Sequence, residues 1–424
     1  MGENMKPSGI AWIGDIPESW SIKRVKYLAS LKGRIGWQGL TSDEYTDEGP
    51  YLITGIDFEN GKVNWDNCVH ISRERWEEAT EIQIQNGDLL ITKDGTVGKV
   101  AIVSELNDLA SLNSGVLVIR TNSGFDRRFL FWVLQSEEFW VWFRLKNAGN
   151  STIIHLYQND FAEFCYTYPK TIEQTLIADF LDEQCEKIDS ISTNLEKQIE
   201  ILQKYKKSLI TETVTKGLNK SVHMKDSGID IVGDIVADWK IKRLKYLCKI
   251  TTGNSDTQDA EFDGKYPFYV RSPIVESINK YDFEGEAVLM AGDGVGAGKV
   301  FHLARGKFGC HQRVYIIFDF KLVIPEYLYY FIRNFFSIEV EKGSAKSTVD
   351  SIRLPMLQNF CICFPDINEQ KGIVNYLDKQ CSKIDSIIES KKEQLSKIEQ
   401  HKKSLIYEYV TGKKRVKGES INGN

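Results

Sequence analysis

The chain has 424 residues, 42% hydrophobic and 27% charged, the balance of an ordinary globular protein long enough for two or three domains. Its net charge of −5, with 17 Lys+Arg against 23 Asp+Glu in residues 1–170 and 19 against 18 in residues 218–365, excludes the basic excess by which many DNA binders are known. No run of about 18 apolar residues suggests a membrane span. The eight cysteines are never spaced C-x-x-C, which argues against a zinc site and for reduced thiols in a cytoplasmic setting.

The N-terminal stretch MGENMKPSGIAWIGDIPESW has no basic segment leading into an apolar one, so no signal peptide is expected. Lys6 stands where a myristoylation signal needs Ser or Thr. The stretch 8–29, SGIAWIGDIPESWSIKRVKYLA, returns at 227–248 as SGIDIVGDIVADWKIKRLKYLC, with 13 of 22 positions identical. Such a long-range echo marks an internal repeat. Further on, LLITKDGTVGKVAIV (89–103) and SGVLVIRT (114–121) have strand character. RRFLFWVLQSEEFWVWFRLK (127–146) has the spacing of an aromatic-rich amphipathic helix whose rings serve a core.

Residues 171–216 carry Leu181, Ile188, Leu195, Leu202 and Leu209 at intervals of seven. Ile191 and Tyr205 are expected at the intervening positions, with Gln184 and Gln198. This is a heptad seam, and it predicts a helix of roughly 65 Å, preceded by Pro169 and closed by Gly217. The segment 181–215 returns at 377–411 with 18 of 35 positions identical. There the seam reads Leu377, Ile384, Ile398 and Leu405, with Lys391 interrupting it and Gly412 at its end. A seam needs a partner, and chain order favours antiparallel pairing of the two copies. The expected architecture is α/β (α+β): two similar mixed globular domains separated by two long antiparallel coiled-coil helices, related by a pseudo-two-fold internal duplication. The expected boundaries are 1–170, 171–217, 218–365 and 366–424.

The second copy contains LMAGDGVGAGKVFHL (289–303), four glycines with an aspartate and a lysine. A Walker loop would need Gly at Asp293, Ser or Thr at Val300, and a following helix. KVFHLA looks like a strand instead. The counterpart in the first copy, ITKDGTVGKVAIV, keeps Asp94, Gly95, Gly98 and Lys99 where the second has Asp293, Gly294, Gly298 and Lys299. The loop therefore reads as a turn between two strands, its glycines at positive φ, and it implies no nucleotide cofactor. RVYIIF (313–318) and FCICF (360–364) add strands, and PEYLYYFIRNFFSIEVEK (325–342) a second aromatic-rich helix.

Positions suited to DNA contact follow from side-chain chemistry alone. Lysines and small polar residues meet phosphates, which selects Lys93 and Lys99 on the first turn and Lys299 on the second. The same argument selects Lys146, Asn150, Ser151 and Thr152 in KNAGNST, and Lys346, Ser347 and Thr348 in EKGSAKST. Arg271, Gln312 and Arg313 have the bidentate geometry that reads base edges. Each could equally be an ordinary solvated loop residue.

The duplicated opening motif (Pro17, Trp20, Lys23, Arg24) is followed by the Asp-Gly-x-x-Gly-Lys turn. Then come P-x-x-x-E-Q-x-x-I-x-x-x-L-D at Pro169–Asp182 and a K-I-D-x-I helix ending in K-K-S-L-I. Together, in order and in both copies, these motifs resemble the specificity (S) subunit of Type I restriction–modification systems. Val236 replaces the second proline, and Pro365, Ile367, Glu369 and Gln370 are slightly compressed. The resemblance implies that each globular half is a target recognition domain reading one half of a bipartite, asymmetric site in double-stranded DNA. It implies helices that set the gap and dock two methyltransferase (M) subunits, with restriction (R) subunits joining the assembly. It implies no catalytic residue, metal or cofactor in this chain; S-adenosylmethionine, ATP and magnesium belong to the partners. The alternatives are a duplicated coiled-coil scaffold with two protein-binding domains, and a stand-alone enzyme on DNA.

Overall fold

The computed structural model describes residues 4–34, 40–148, 154–343 and 351–416. The chain forms two compact units, one from residues 1–194 with 394–424 and the other from residues 195–393. Each unit therefore draws helical sequence from both copies of the repeat.

In the first unit a four-stranded sheet runs in the order Val100–Ile102, Leu89–Thr92, Val116–Thr121, Ala29–Gly33, with every neighbour antiparallel. Side chains alternate along a strand, and here both faces are covered. Leu89, Ile91, Leu117 and Ile119 enter a core built on the aromatic helices. Leu90, Val116 and Val118 enter a second core with Ile53, Phe58 and Ile82. Burial on two sides explains why these strands read as continuous apolar runs. The stretch expected as one helix over 127–146 is two, Arg127–Gln135 and Glu137–Lys146. Ser136 adopts an extended conformation between them, and its Oγ donates to the Val133 carbonyl at 2.7 Å. The rings are core, as their spacing implies: Phe129 and Phe139 are fully buried and Trp132 and Trp142 nearly so.

In the second unit a six-stranded sheet runs in the order Lys249–Thr252, Val314–Phe318, Phe283–Ala291, Phe301–Cys310, Tyr266–Tyr269, Glu276–Ile278. Val288 and Met290 face the helix Pro325–Gly343, while Ala287 and Leu289 face a smaller core with Phe308 and Cys310. The framing of this sheet repeats the first unit. The strand Ser21–Arg24 pairs with Cys165–Tyr168, and Lys240–Arg243 pairs with Cys361–Phe364.

Two long helices, Thr171–Lys216 and Ile367–Val410, carry the seam. In the first unit Phe180 packs on Tyr409 with centroids 4.5 Å apart, and Lys402 reaches Asp189 at 2.6 Å. In the second unit Lys206 reaches Asp385 at 2.6 Å, and Lys391 donates to Gln198 at 2.5 Å. Rising numbers on one helix meet falling numbers on the other, so the pairing is antiparallel within each unit.

The seam residues Leu181, Leu195, Leu377, Ile384 and Leu405 are buried, and Ile188, Leu202, Leu209 and Ile398 half-buried. The intervening row differs from the expectation. Ile191 is 49% and Tyr205 54% exposed. The positions four residues after each heptad residue take their place: Cys185, Ser192, Ile199 and Lys206, matched by Cys381, Ile388, Leu395 and Lys402. A seam alternates three- and four-residue steps, and choosing the three-residue step first rotates the assigned stripe away from the contact.

The recurring Glu-Gln and Trp positions fasten helix ends to their units. Gln174 is fully buried; its Nε2 donates to the Pro169 carbonyl at 2.8 Å and its Oε1 accepts from Asp126 N–H at 3.1 Å. Gln370 repeats this with Pro365 at 2.9 Å and Ile324 N–H at 2.9 Å, and adds the Leu322 carbonyl at 2.8 Å. Trp20 donates to Glu173 at 2.9 Å. Gly412, at φ +74°, ends the C-terminal helix against Pro17 and Trp20, and Gly217, at φ +67°, ends the central helix against Trp239.

Candidate nucleic-acid interface

The turn of the first unit is built by Thr92. Its main chain pairs with Lys99 and Gly98 at 2.9 Å, and its Oγ1 accepts from Lys99 N–H at 2.9 Å. Gly95 and Gly98 take φ of +68° and +84°, and a side chain at Gly98 would collide with the Trp140 ring. The glycines thus serve the left-handed backbone and a close approach, as a turn between strands requires.

Lys99 is exposed and borders a shallow groove with Phe58, Asn60, Gln135 and Trp140. Lys93 is half-buried, and its carbonyl accepts from Leu156 N–H at 2.9 Å. Asp94 is hydrogen-bonded to His155 Nδ1. The chain beyond the helix Glu137–Lys146 therefore closes back onto the turn. Lys146 is exposed at the end of that helix. Asn150, Ser151 and Thr152 lie outside the described residues.

The second unit repeats this plan with different side chains. Ala291 pairs with Val300 and Gly298 at 3.0 Å, and Gly294 and Gly298 take φ of +71° and +64°. The returning segment pairs here too, with Ile352 N–H donating to the Gly292 carbonyl at 2.8 Å and Ser351 bridging Asp293. Asp293, the counterpart of Asp94, receives Arg271 at 3.0 Å and faces Arg313 Nε at 3.7 Å. Two guanidiniums thus face one carboxylate, with the Asp256 carboxylate close by. Gln312 donates to Asp256 at 2.8 Å.

The structure thus brings Arg271 to the adjacent Gln312 and Arg313, distant from it in sequence, beside the glycine turn that carries Lys299. Arg271, Asp293 and Val295 line one groove with Thr257, Ser272 and Glu276. Val295 at the tip is 96% exposed. His311, beneath Arg313 and accepting its N–H at 2.9 Å, is held below the usual imidazole range by burial and by the nearby Arg271 charge. Lys346, Ser347 and Thr348 lie outside the described residues.

Sequence reasoning assigned Asp94 and Asp293 to the turns but missed what they hold, His155 in one unit and two arginines in the other. The signal was present, since both aspartates survive the divergence of the surrounding segments; the partners were hidden by distance along the chain. Among the described residues, no three His, Cys, Asp or Glu side chains converge as metal ligands. Burial pushes the thiols of Cys185, Cys248, Cys310 and Cys363 up to about 12, the behaviour of packing groups. No helix among the described residues is long and apolar enough to cross a membrane.

The comparisons agree over nearly the whole chain. A family model described as Type I restriction modification DNA specificity domain matches residues 17–201 and again 237–400. A putative type I restriction enzyme MjaX specificity subunit from Methanocaldococcus jannaschii is 26% identical, the match spanning 98% of this chain and 97% of that protein. The MjaVIII specificity subunit of the same organism is 26% identical over 95% and 94% of the two chains. A solved chain from work on complex assembly and conformational transition of the type I R-M system superposes with a TM-score of 0.70 at 16% identity, over 93% of this chain and 98% of that one, which shows a shared fold.

Proposed function

Because the chain belongs to the Type I restriction–modification DNA specificity family, we propose that its two glycine turns and the polar residues gathered at them face DNA, one half-site to each unit. The chain itself is the recognition component. Adenine methylation with S-adenosylmethionine and ATP- and magnesium-dependent cleavage are assigned to methyltransferase and restriction subunits bound to it.

One observation carries the division into two unlike reading surfaces. The same turn, closed by the same returning segment, holds Asp94 against His155 in one unit and Asp293 against Arg271 and Arg313 in the other. A common frame bearing different donors suits two different half-sites, and so an asymmetric target. Lys93, Lys99, Lys146 and Lys299 serve phosphates, which position the duplex without reading it. Arg271, Gln312 and Arg313 serve base edges, where Arg takes guanine and Gln adenine. The long helices act as the ruler. A scaffold with two protein-binding domains would have no use for unlike arginine and histidine clusters on matched turns.

The test is methylation mapping on DNA with the chain and its methyltransferase partner. Arg271→Ala and Arg313→Ala should relax one half of the bipartite motif and leave the other unchanged. Relaxation of both halves, or of neither, would defeat the assignment.

A further inference from the structure

Main-chain hydrogen bonds restore the register between the two units that their sequences have lost. In the first unit Asn113 N–H donates to the Ile53 carbonyl at 2.9 Å, and in the second His311 N–H donates to the Tyr269 carbonyl at 3.0 Å. Lys93 N–H donates to the Gly115 carbonyl at 2.8 Å, and Gly292 N–H to the Arg313 carbonyl at 2.8 Å. The strands leading in agree as well, since Leu52 pairs parallel with Ser111 as Phe268 does with Gly309. Ile53 thus matches Tyr269, and Gly115 matches Arg313. Two residues beyond the first of these pairs, Gly55 matches Arg271. Both arginines gathered at the second turn therefore stand where the first unit has glycine.

The surroundings fit that match. A Cβ at Gly115 would lie 3.7 Å from the Asp94 side chain, just as Arg313 faces Asp293. A Cβ at Gly55 would lie 3.0 Å from Thr92 Cγ2 and 3.5 Å from Thr96 Oγ1, so this glycine rests directly on the first turn. With no guanidinium there, the next residue is what the loop presents, and Ile56 is 78% exposed. Asp57 holds the loop closed. It is buried, and its Oδ2 accepts from the Thr54 N–H at 2.7 Å and the Thr54 hydroxyl at 2.9 Å. Its own N–H donates to the Thr54 carbonyl at 3.3 Å. Ile56 is β-branched, with few rotamers to lose, and sits on a loop already fixed, so little ordering opposes a contact. On the turn itself the first unit exposes Thr96 where the second carries Val295.

An exposed isoleucine is ordinary in itself; its place beside the turn gives it a use. In the major groove the thymine 5-methyl is the apolar group a base pair offers, whereas guanine and adenine are read by guanidinium and amide groups. The first unit has no arginine at the two matched places, and its turn lysines, Lys93 and Lys99, serve phosphates. We infer that Ile56 reads a thymine by packing on its 5-methyl group, which places a thymine in the first unit's half-site. The inference rests on the functional reading above, which gives the turns to DNA and names no base for the first unit.

The test uses the full chain with its methyltransferase partner and fluorescently labelled duplexes carrying the methylated motif, read by anisotropy. In the half-site that Arg271→Ala leaves unchanged, each thymine on either strand is replaced in turn by deoxyuridine, which removes the 5-methyl and keeps the base pair. One replacement should weaken binding by the unaltered complex about fourfold, the factor for one methyl-sized group lost from an apolar contact. Ile56→Ala should weaken binding to the thymine duplex by a similar factor and abolish the penalty of that replacement, with an unchanged thermal melt. A half-site without thymine, no sensitive position, or an undiminished penalty in Ile56→Ala overturns the inference. Affinity lost in Ile56→Ala with no deoxyuridine penalty overturns it too, in favour of a wedge between base steps. A complex that does not prefer its motif to a scrambled duplex would sink the assignment of the turns to DNA. A motif bound selectively but indifferent to deoxyuridine sinks the thymine contact alone.

Discussion

Lys402 spans both carboxylate oxygens of Asp189, with Nζ 2.6 Å from Oδ1 and 2.8 Å from Oδ2. Its repeat counterpart does the same, Lys206 meeting Asp385 at 2.6 and 2.5 Å. Each lysine occupies a seam row, laying its stem along the helix contact and its charge at the edge. The duplication thus wrote one bridge twice, once in each unit. The lysines are about one-quarter exposed and the aspartates about half, so a double-mutant cycle of Lys402→Ala with Asp189→Ala should give a coupling of about 0.2–1 kcal/mol. That coupling should shrink in 1 M salt. A coupling of several kcal/mol would mean the pair is more deeply desolvated than its exposure indicates.

Gln174 and Gln370 should matter more. Each is a buried amide bound to main-chain groups on both sides, and Gln370 serves three. Substitution by leucine strands those N–H and carbonyl groups without water. The expected loss is about 1–3 kcal/mol for Gln174→Leu and more for Gln370→Leu, read as the drop in chemical-denaturation midpoint. Equal, negligible effects would show that these glutamines are incidental to helix docking.

The two glycine caps differ in a way that ranks them. Both need a left-handed backbone, which costs an L-residue roughly 1–2 kcal/mol. A Cβ at Gly217 would lie 2.9 Å from Glu369 Oε1, the end of a flexible side chain, and one at Gly412 would lie 2.5 Å from the Pro17 ring. Gly412→Ala should therefore destabilise its unit by more than Gly217→Ala destabilises the other. Differential scanning calorimetry checks the order, and a reversed order would contradict the packing.

What was readable in the sequence follows from distance along the chain. The heptad residues from Leu181 to Leu209 and the turns at Asp94 and Asp293 are local patterns with a fixed spacing: Leu181 and Leu195 are buried, Ile188, Leu202 and Leu209 half-buried, and each turn joins two paired strands. The intervening seam row was misplaced because Ile191 and Tyr205 look more apolar than Ser192 and Lys206, whose placement depends on the partner helix. The break at Ser136 is likewise decided by packing on both sides of it. The pairing of Asp293 with Arg271 and Arg313, and of Asp94 with His155, joins segments in the diverged middles, where no register between copies survives to guide the reading.

Glu138 makes the pH dependence of the first unit testable. It is fully buried, its Oε1 accepts from Thr167 N–H at 3.3 Å, and its Oε2 has no hydrogen-bond partner. Burial raises its carboxyl to about 8, opposed by the Thr167 N–H and the distant Lys413 charge. Unfolded, the same carboxyl titrates near 4.3. Below that value both states hold the proton and the contribution to stability is fully present. Between about 4.3 and 8 the unfolded chain has released it while the folded chain keeps it, so stability falls as pH rises, by at most about 1.4 kcal/mol per pH unit from this group. Glu138→Gln should flatten the fall in the first unit's unfolding midpoint between pH 5 and 8 relative to the unaltered chain. Parallel pH profiles for the two proteins would show that Glu138 is ionised in the fold and that its surroundings supply a partner for the charge.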